Sequence, residues 1–166
     1  WSSAGLDVYK GQTLLTAMNT GHDGSFGSLH ANTAQETVTR MINPPMNVPP
    51  IMLSGLDLII IQGRLHINGK TARKITEVAE VAGMEGDKPR LNIIWKYNAA
   101  TEQIEETGIP SKLRETICKA AGVSPAVFEK HVEQRQAIIN DMVHRGIDDI
   151  QRVSTVIQNF YASRGD

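Results

Sequence analysis

Asp57-Leu58-Ile59-Ile60-Ile61-Gln62, followed after one glycine by Arg64-Leu65-His66-Ile67-Asn68-Gly69-Lys70-Thr71, is the stretch whose reading decides the fold. Gly69-Lys70-Thr71 looks like the end of a phosphate-binding loop of pattern G-x-x-x-x-G-K-[ST], but one residue too many lies between Gly63 and Gly69. Lys70-Thr71 also runs into a β-branched segment, not into a helix whose first amides would hold a phosphate. Asn-Gly between two apolar runs is instead a strong hairpin signal, because both central positions of the tight turn require positive φ. The expected order is strand, turn, strand, with 57–62 read as a strand buried on both faces. The return strand covers Ala72 to Val81.

Working outward, Gly83 to Pro89 reads as a turn. Leu91, Ile93, Trp95 and Tyr97 alternate along a further strand, and Gln103 to Glu106 forms a polar edge strand. Upstream, Gln12 to Asn19 forms a short apolar helix, Ser28-Leu29-His30 starts a short strand, and Thr33-Ala34-Gln35-Glu36 is a capping box opening a helix to Ile42. Asn43-Pro44-Pro45 and Pro49-Pro50 end that helix, since proline supplies no amide donor, and Ile51 to Ser54 makes another short helix. From Pro110 the texture is helical throughout. Leu113, Ile117 and Ala121 share a face, Ser124-Pro125 caps a second helix, and Asp148 caps a third. Their regular apolar stripes read as the core of a packed three-helix unit.

The chain has 166 residues, 40% hydrophobic and 21% charged, with formal net charge −1. That composition suits one or two globular units and gives no basic tract of the nucleic-acid-binding kind. Leu56 to Ile61 is interrupted by Asp57 and is far shorter than the roughly 20 residues that span a bilayer, so no transmembrane segment is expected. The N-terminal residues lack the charged and apolar regions of a secretory signal. The single Cys118 excludes an internal disulfide, fits a reducing compartment, and reads as a buried small hydrophobe.

Chemistry concentrates in Thr20-Gly21-His22-Asp23-Gly24-Ser25-Phe26-Gly27-Ser28-Leu29-His30-Ala31-Asn32, where two histidines stand eight residues apart on a glycine-rich loop. Gly21, Gly24 and Gly27 allow close approach of the backbone to a ligand. His22 and His30 suit metal ligation, acid–base work, phosphate sensing or a structural role. Metal is the weakest of these, because two histidines and Asp23 leave a first shell incomplete. An imidazole beside a phosphate is favoured in its charged form, since its pKa lies near physiological pH. Arg40, on the next helix, reads as solvated or ion-paired. Arg64 and Arg73 on the hairpin read as solvated or reaching toward a partner, and His66, His131 and His144 as ordinary surface or boundary residues.

Ala17 to Asn32 closely resembles the histidine box of the type II/type IV secretion and pilus-assembly ATPases. The resemblance continues through 34–40, 57–62, 73–78 and 83–87 in the style of tight-adherence-type pili. Over the helical tail, including Val143-His144-Arg145-Gly146-Ile147, it extends to the archaeal pilus and archaellum motors. It implies an α/β fold: the C-terminal half of a RecA-like core, with a mixed sheet and β-hairpins over 1–109, then a helical C-terminal region over 110–166. The family's P-loop, acidic box and Walker B motif have no counterpart here, and Trp1 to Gly11 departs from the usual lead-in. By carry-over, His22, His30 and Arg40 are the catalytic candidates, and Gly21, His22, His30 and Asn32 the cofactor-binding ones, with Asn32 bracing the loop. The implied cofactors are ATP and Mg2+ in the full-length protein, with none expected on this fragment alone. The implied partners are five further copies in a homo-hexamer and an inner-membrane platform protein, at a cytoplasmic location peripheral to the membrane. Two other readings remain: a stand-alone α/β interaction module with structural histidines, and, last, a histidine-dependent hydrolase, for which no G-x-S-x-G or metal shell is present.

Overall fold

The computed structural model describes residues 8–163 apart from Asp23 and Asn68, and side chains from residue 11 onward. Trp1 to Asp7 and the asparagine of the Asn-Gly turn therefore lie outside the described residues. The elements are α1 (Val8–Asn19), α2 (Ala34–Ile42), a 3-10 helix (Pro50–Gly55), β1 (Leu58–Ile67), β2 (Lys70–Glu85), β3 (Lys88–Asn98), β4 (Gln103–Glu106), α3 (Lys112–Ala121), α4 (Pro125–His144) and α5 (Ile150–Ala162). They fall into two compact units, Trp1–Leu113 and Arg114–Asp166. Among the described residues no helix is long and apolar enough to cross a membrane.

The first unit is built on one four-stranded sheet of order β1-β2-β3-β4, antiparallel at every pair. This corrects the expectation of a mixed sheet: each connection is a hairpin, and a hairpin can only return the chain antiparallel. The hairpin reading of 57–71 holds, with Ile67 opposite Lys70 across the turn. The second turn is tighter than expected, since β2 runs on through Gly83 and reverses at Gly86-Asp87, Glu85 facing Lys88.

The core lies between one face of this sheet and the helices before it. Leu15 of α1, Ala34, Val38 and Met41 of α2, and Leu53 pack with Ile59, Ile61, Ala79 and Val81. Asn19 locks the layer together by donating Nδ2 to the carbonyls of Leu15 (2.8 Å) and Met52 (2.9 Å). A Cβ at Gly55 would stand 2.5 Å from that same Nδ2, so the close approach of α1 requires glycine there.

Three expectations are corrected. β1 is not buried on both faces: Ile59 is 7% exposed and Ile60 57%, because only the face that carries Ile59 and Ile61 packs against the core. Ser28-Leu29-His30 starts no strand; residues 25–31 are without regular structure and join no ladder among the described residues. In the helical unit only Cys118, Met142 and Ile147 are buried hydrophobics, and α5 buries no residue at all. Val143 is 75% and Ile150 79% exposed, so those stripes are not a closed core.

Polar and aromatic contacts also join the helices of the second unit. Arg114 pairs with Glu129 at 3.0 Å and lies 6.0 Å from the Phe128 ring, while Arg135 lies 5.9 and 5.8 Å from the rings of Phe160 and Tyr161. Ser124 caps α4 through Val127 N, as expected, whereas α5 is capped by Asp149 through Arg152 N, not by Asp148. That one-residue shift is of the size by which helix ends read from sequence commonly miss.

The alternation on β1 is directly testable. Ile59→Ala should destabilise the chain by about 2–5 kcal/mol in urea denaturation, as for other buried isoleucines. Ile60→Ala, at the next residue, should cost no more than about 0.5 kcal/mol, as at exposed sites; equal costs would restore the strand buried on both faces.

Candidate functional site

The histidine loop is held at both ends, and from Phe26 to Ala31 it has no regular structure among the described residues. Its entry is the C-terminus of α1, where Gly21 takes φ +87 and the His22 amide returns to the Ala17 carbonyl at 3.1 Å. This six-to-one bond is the Schellman way of ending a helix, and the left-handed residue inside it is glycine because a Cβ disfavours that conformation. Ser25 Oγ then donates to the His22 carbonyl at 2.8 Å, and Gly24 takes φ +76. From Phe26, which is 81% exposed, to Ala31 the chain runs without regular hydrogen bonding among the described residues.

The exit is a dense polar knot. Thr33 Oγ1 accepts the Glu36 amide at 3.0 Å, the first half of the expected capping box. The second half is displaced by one residue: Glu36 Oε2 accepts both the backbone amide (2.8 Å) and Nδ2 (3.0 Å) of Asn32. Asn32 is thereby the brace between loop and helix. Oε1 of the same carboxylate takes Arg40 Nε at 2.7 Å, with Nη2 at 2.6 Å. The bonds from the Asn32 amide, then from Arg40, and then from the Asn32 side chain hold the Glu36 carboxyl below its ordinary value of 4.5.

Behind this knot, Glu77 of β2 accepts the Ala34 amide at 2.7 Å in a buried contact. A carboxylate on the first free amides of a helix complements the positive end of its dipole. Sequence reading missed Glu77. The signal was faint, an acidic residue within an otherwise apolar-leaning strand segment, Glu77-Val78-Ala79-Glu80-Val81.

Gly21, His22, His30, Asn32 and Arg40 all lie on this one loop-and-helix segment and are exposed. Neither the His22 nor the His30 imidazole has a hydrogen-bond partner among the described residues, and both side chains are exposed. Arg40 is engaged by Glu36, in keeping with the ion-paired reading of that residue. Among the described residues no group of three or more His, Cys, Asp or Glu side chains comes together in a way that could hold a metal ion.

Beside the loop runs a groove of about 260 Å³. One wall is Ser25 to Leu29, the other is the open edge of β1 from Leu58 to Ile61, and Leu14, Leu15 and Met18 form part of its lining. Four consecutive residues of one strand can line a groove only along the strand's edge, because successive side chains point to opposite faces.

The model of the family described as type II/IV secretion system protein matches residues 7–159. Among curated proteins, the uncharacterized protein MJ0781 of Methanocaldococcus jannaschii is 33% identical over 159 residues, covering 93% of this chain and 22% of that protein. The uncharacterized protein MJ0900 of the same organism is 27% identical over 87% of the chain and 27% of its own length, and MJ1287 is 26% identical over 78% and 48%. The chain thus spans between about a quarter and a half of the length of these relatives.

Because the folded-state pKa of Glu36 is depressed, its contribution to stability is present above the unfolded value of 4.5 and is lost as pH falls through the folded value. Wild-type chain should therefore melt at higher temperature than Glu36→Gln at neutral pH, and the difference should shrink as pH drops below about 4.5. A pH-independent difference in melting temperature would mean that the carboxylate charge is not what holds the knot.

Proposed function

The chain belongs to the type II/IV secretion system protein family, and on that premise we propose that it is part of a hexameric motor ATPase powering pilus assembly or protein secretion. In this reading residues 1–109 carry the histidine box of a RecA-like core, and the P-loop that holds the nucleotide belongs to sequence upstream of Trp1. The observation that supports it is the pair of exposed imidazoles on a loop whose two ends are fixed while its middle has no regular structure among the described residues. A further support is the groove between residues 25–29 and the β1 edge, where two unpaired backbone edges border a slot suited to one more extended segment of a larger sheet.

When bound, ATP with Mg2+ supplies the phosphoryl group whose transfer to water releases the work. This chain contributes recognition. His22 and His30 would hold the terminal phosphate through their ring nitrogens, and loss of that partner on hydrolysis would release the loop. Asn32 and Glu36 pass the displacement into α2, with Arg40 completing the same knot. Gly21 sets the angle at which His22 leaves α1. The apolar side chains exposed on α4 and α5, Ile139, Val143 and Ile150 among them, suit docking on an inner-membrane platform protein, and in this reading the motor works on the cytoplasmic side, peripheral to the membrane.

In the full-length protein, His22→Ala and His30→Ala should each lower kcat for ATP by about a hundredfold, the usual scale for removing a charge-stabilising group from a reacting centre. The 166-residue chain alone should show no turnover. Unchanged ATP hydrolysis and filament assembly in both variants would remove the histidine-box assignment. Turnover by the isolated chain would remove the upstream P-loop.

A further inference from the structure

The distal half of the β1–β2 hairpin stands apart from the rest of the sheet. β3 pairs with β2 only from Glu77 onward, so Gln62–Ile67 and Lys70–Thr76 form a two-stranded arm with no third strand beside it. Two-stranded ribbons are marginal on their own. This arm carries Arg64, Lys70, Arg73 and Lys74 together with His66, and contains no Asp or Glu from Gln62 to Thr76. All five side chains are exposed, and none has an ion-pair partner among the described residues. Arg64 and Arg73 stand directly opposite each other in the ladder, an arrangement that like charges make unfavourable within one chain. A chain of net charge −1 that concentrates unpaired cations on a protruding ribbon has an electrostatic surface suited to an anionic partner.

The opposite edge of the sheet has the opposite character. From Tyr97 to Gly108 the chain has Glu102, Glu105 and Glu106 and no lysine or arginine. β4, within this segment, pairs only with β3, so its outer edge is open. Hydrogen bonds from Thr101 Oγ1 (2.6 Å) and Asn98 Nδ2 (2.9 Å) orient the Glu105 carboxylate. They also hold its carboxyl below the usual range, and Lys96 is the one cation directly opposite it in the ladder.

We propose that the basic β1–β2 arm of one copy docks on the acidic β4 edge of a second copy, joining the two sheets head to tail. A basic surface on the β1–β2 side of the sheet and an acidic one on its β4 edge make a heterologous contact, in which the two copies present different surfaces. Such contacts close into rings when the rotation between copies permits. Charge complementarity of this kind chiefly sets partner choice and orientation. The contact uses neither histidine of the loop, so it stands or falls separately from the nucleotide reading.

The test is disulfide capture between copies of the full chain. In a Cys118→Ala background, His66→Cys and Gln103→Cys place single thiols on the arm and on the acidic edge. Under mild oxidation a cross-linked pair should form when the two variants are mixed, and not when either is incubated alone. Adding Arg64→Glu and Arg73→Glu to the first partner, or Glu102→Lys and Glu105→Lys to the second, should lower capture by about tenfold, and combining both reversed partners should restore it. Circular dichroism and melting of each variant check that the fold is kept. Absence of capture in the mixture overturns the proposal, as does failure of the doubly reversed pair to recover. Undiminished capture by the reversed arm, with loss of its retention on vesicles containing an anionic phospholipid, would assign the arm to a membrane surface instead.

Discussion

Two buried carboxylates on β2 hold the backbone amides of Ala34 and Lys112, the first residues of α2 and α3. Glu77 and Glu80 are among the buried charged residues of a chain whose other carboxylates are largely at the surface. A carboxylate withdrawn from water is costly unless hydrogen bonds replace its hydration. Glu77 satisfies that demand with the Ala34 amide at the start of α2. Glu80 does so with the Ser111 hydroxyl and with the Lys112 amide at 2.8 Å, and Lys112 Nζ reaches the Ala82 carbonyl at 3.2 Å. One strand therefore sets both the helix that follows the histidine loop and the point at which the chain leaves the sheet for its helical portion. Apolar packing tolerates sliding, whereas an amide–carboxylate contact at fixed distance does not. The register of α2 over the sheet is thus defined more sharply than its four buried residues, Ala34, Thr37, Val38 and Met41, would define it alone.

What could be read from sequence and what could not divide along physical lines. Local signals were reliable. Asn-Gly placed the first hairpin, Thr33 and Ser124 placed two caps, and Pro44-Pro45 ended α2, because each of these depends on a few neighbouring backbone groups. Signals that depend on remote packing were not. The Leu58 to Ile61 run looks the same whether one face or both are covered, and only the packing of helices on the Ile59/Ile61 face decides that Ile60 is exposed. The stripes of α4 and α5 have helical spacing whatever packs on them, so spacing alone could not reveal that α5 buries nothing. Glu77 was illegible for a related reason: its partner lies 43 positions away in the chain.

The candidate site shows the same division. Its glycines and histidines were conspicuous as residue types, and Gly21 was interpretable because ending a helix with a left-handed residue is local chemistry. The displacement of the capping box from Thr33 to Asn32 was not foreseeable from the Thr-x-x-Glu pattern, which matches either arrangement. Arg40 illustrates the limit of spacing arguments most clearly. Four residues after Glu36 on a helix is ion-pair spacing, and the 2.7 Å contact fulfils it. Any role for Arg40 at a ligand must therefore be exercised together with Glu36, as part of the group that also grips Asn32.

This arrangement gives the loop an unusual mechanical character. Its entry is tied through His22 N to α1 and, by way of Asn19, to the Met52 carbonyl. Its exit is tied through Asn32 to α2 and through Ala34 to the sheet. Between these anchors, Phe26 to Ala31 lacks the ladder bonds that would hold an extended segment in place. Leu29, in the middle of that segment, packs against the core of the first unit. At the exit a single carboxylate makes four contacts to Asn32 and Arg40. The first turn of α2 is accordingly the joint between loop and sheet: Glu36 grips Asn32 on one side of it, and the buried Glu77 accepts the Ala34 amide on the other.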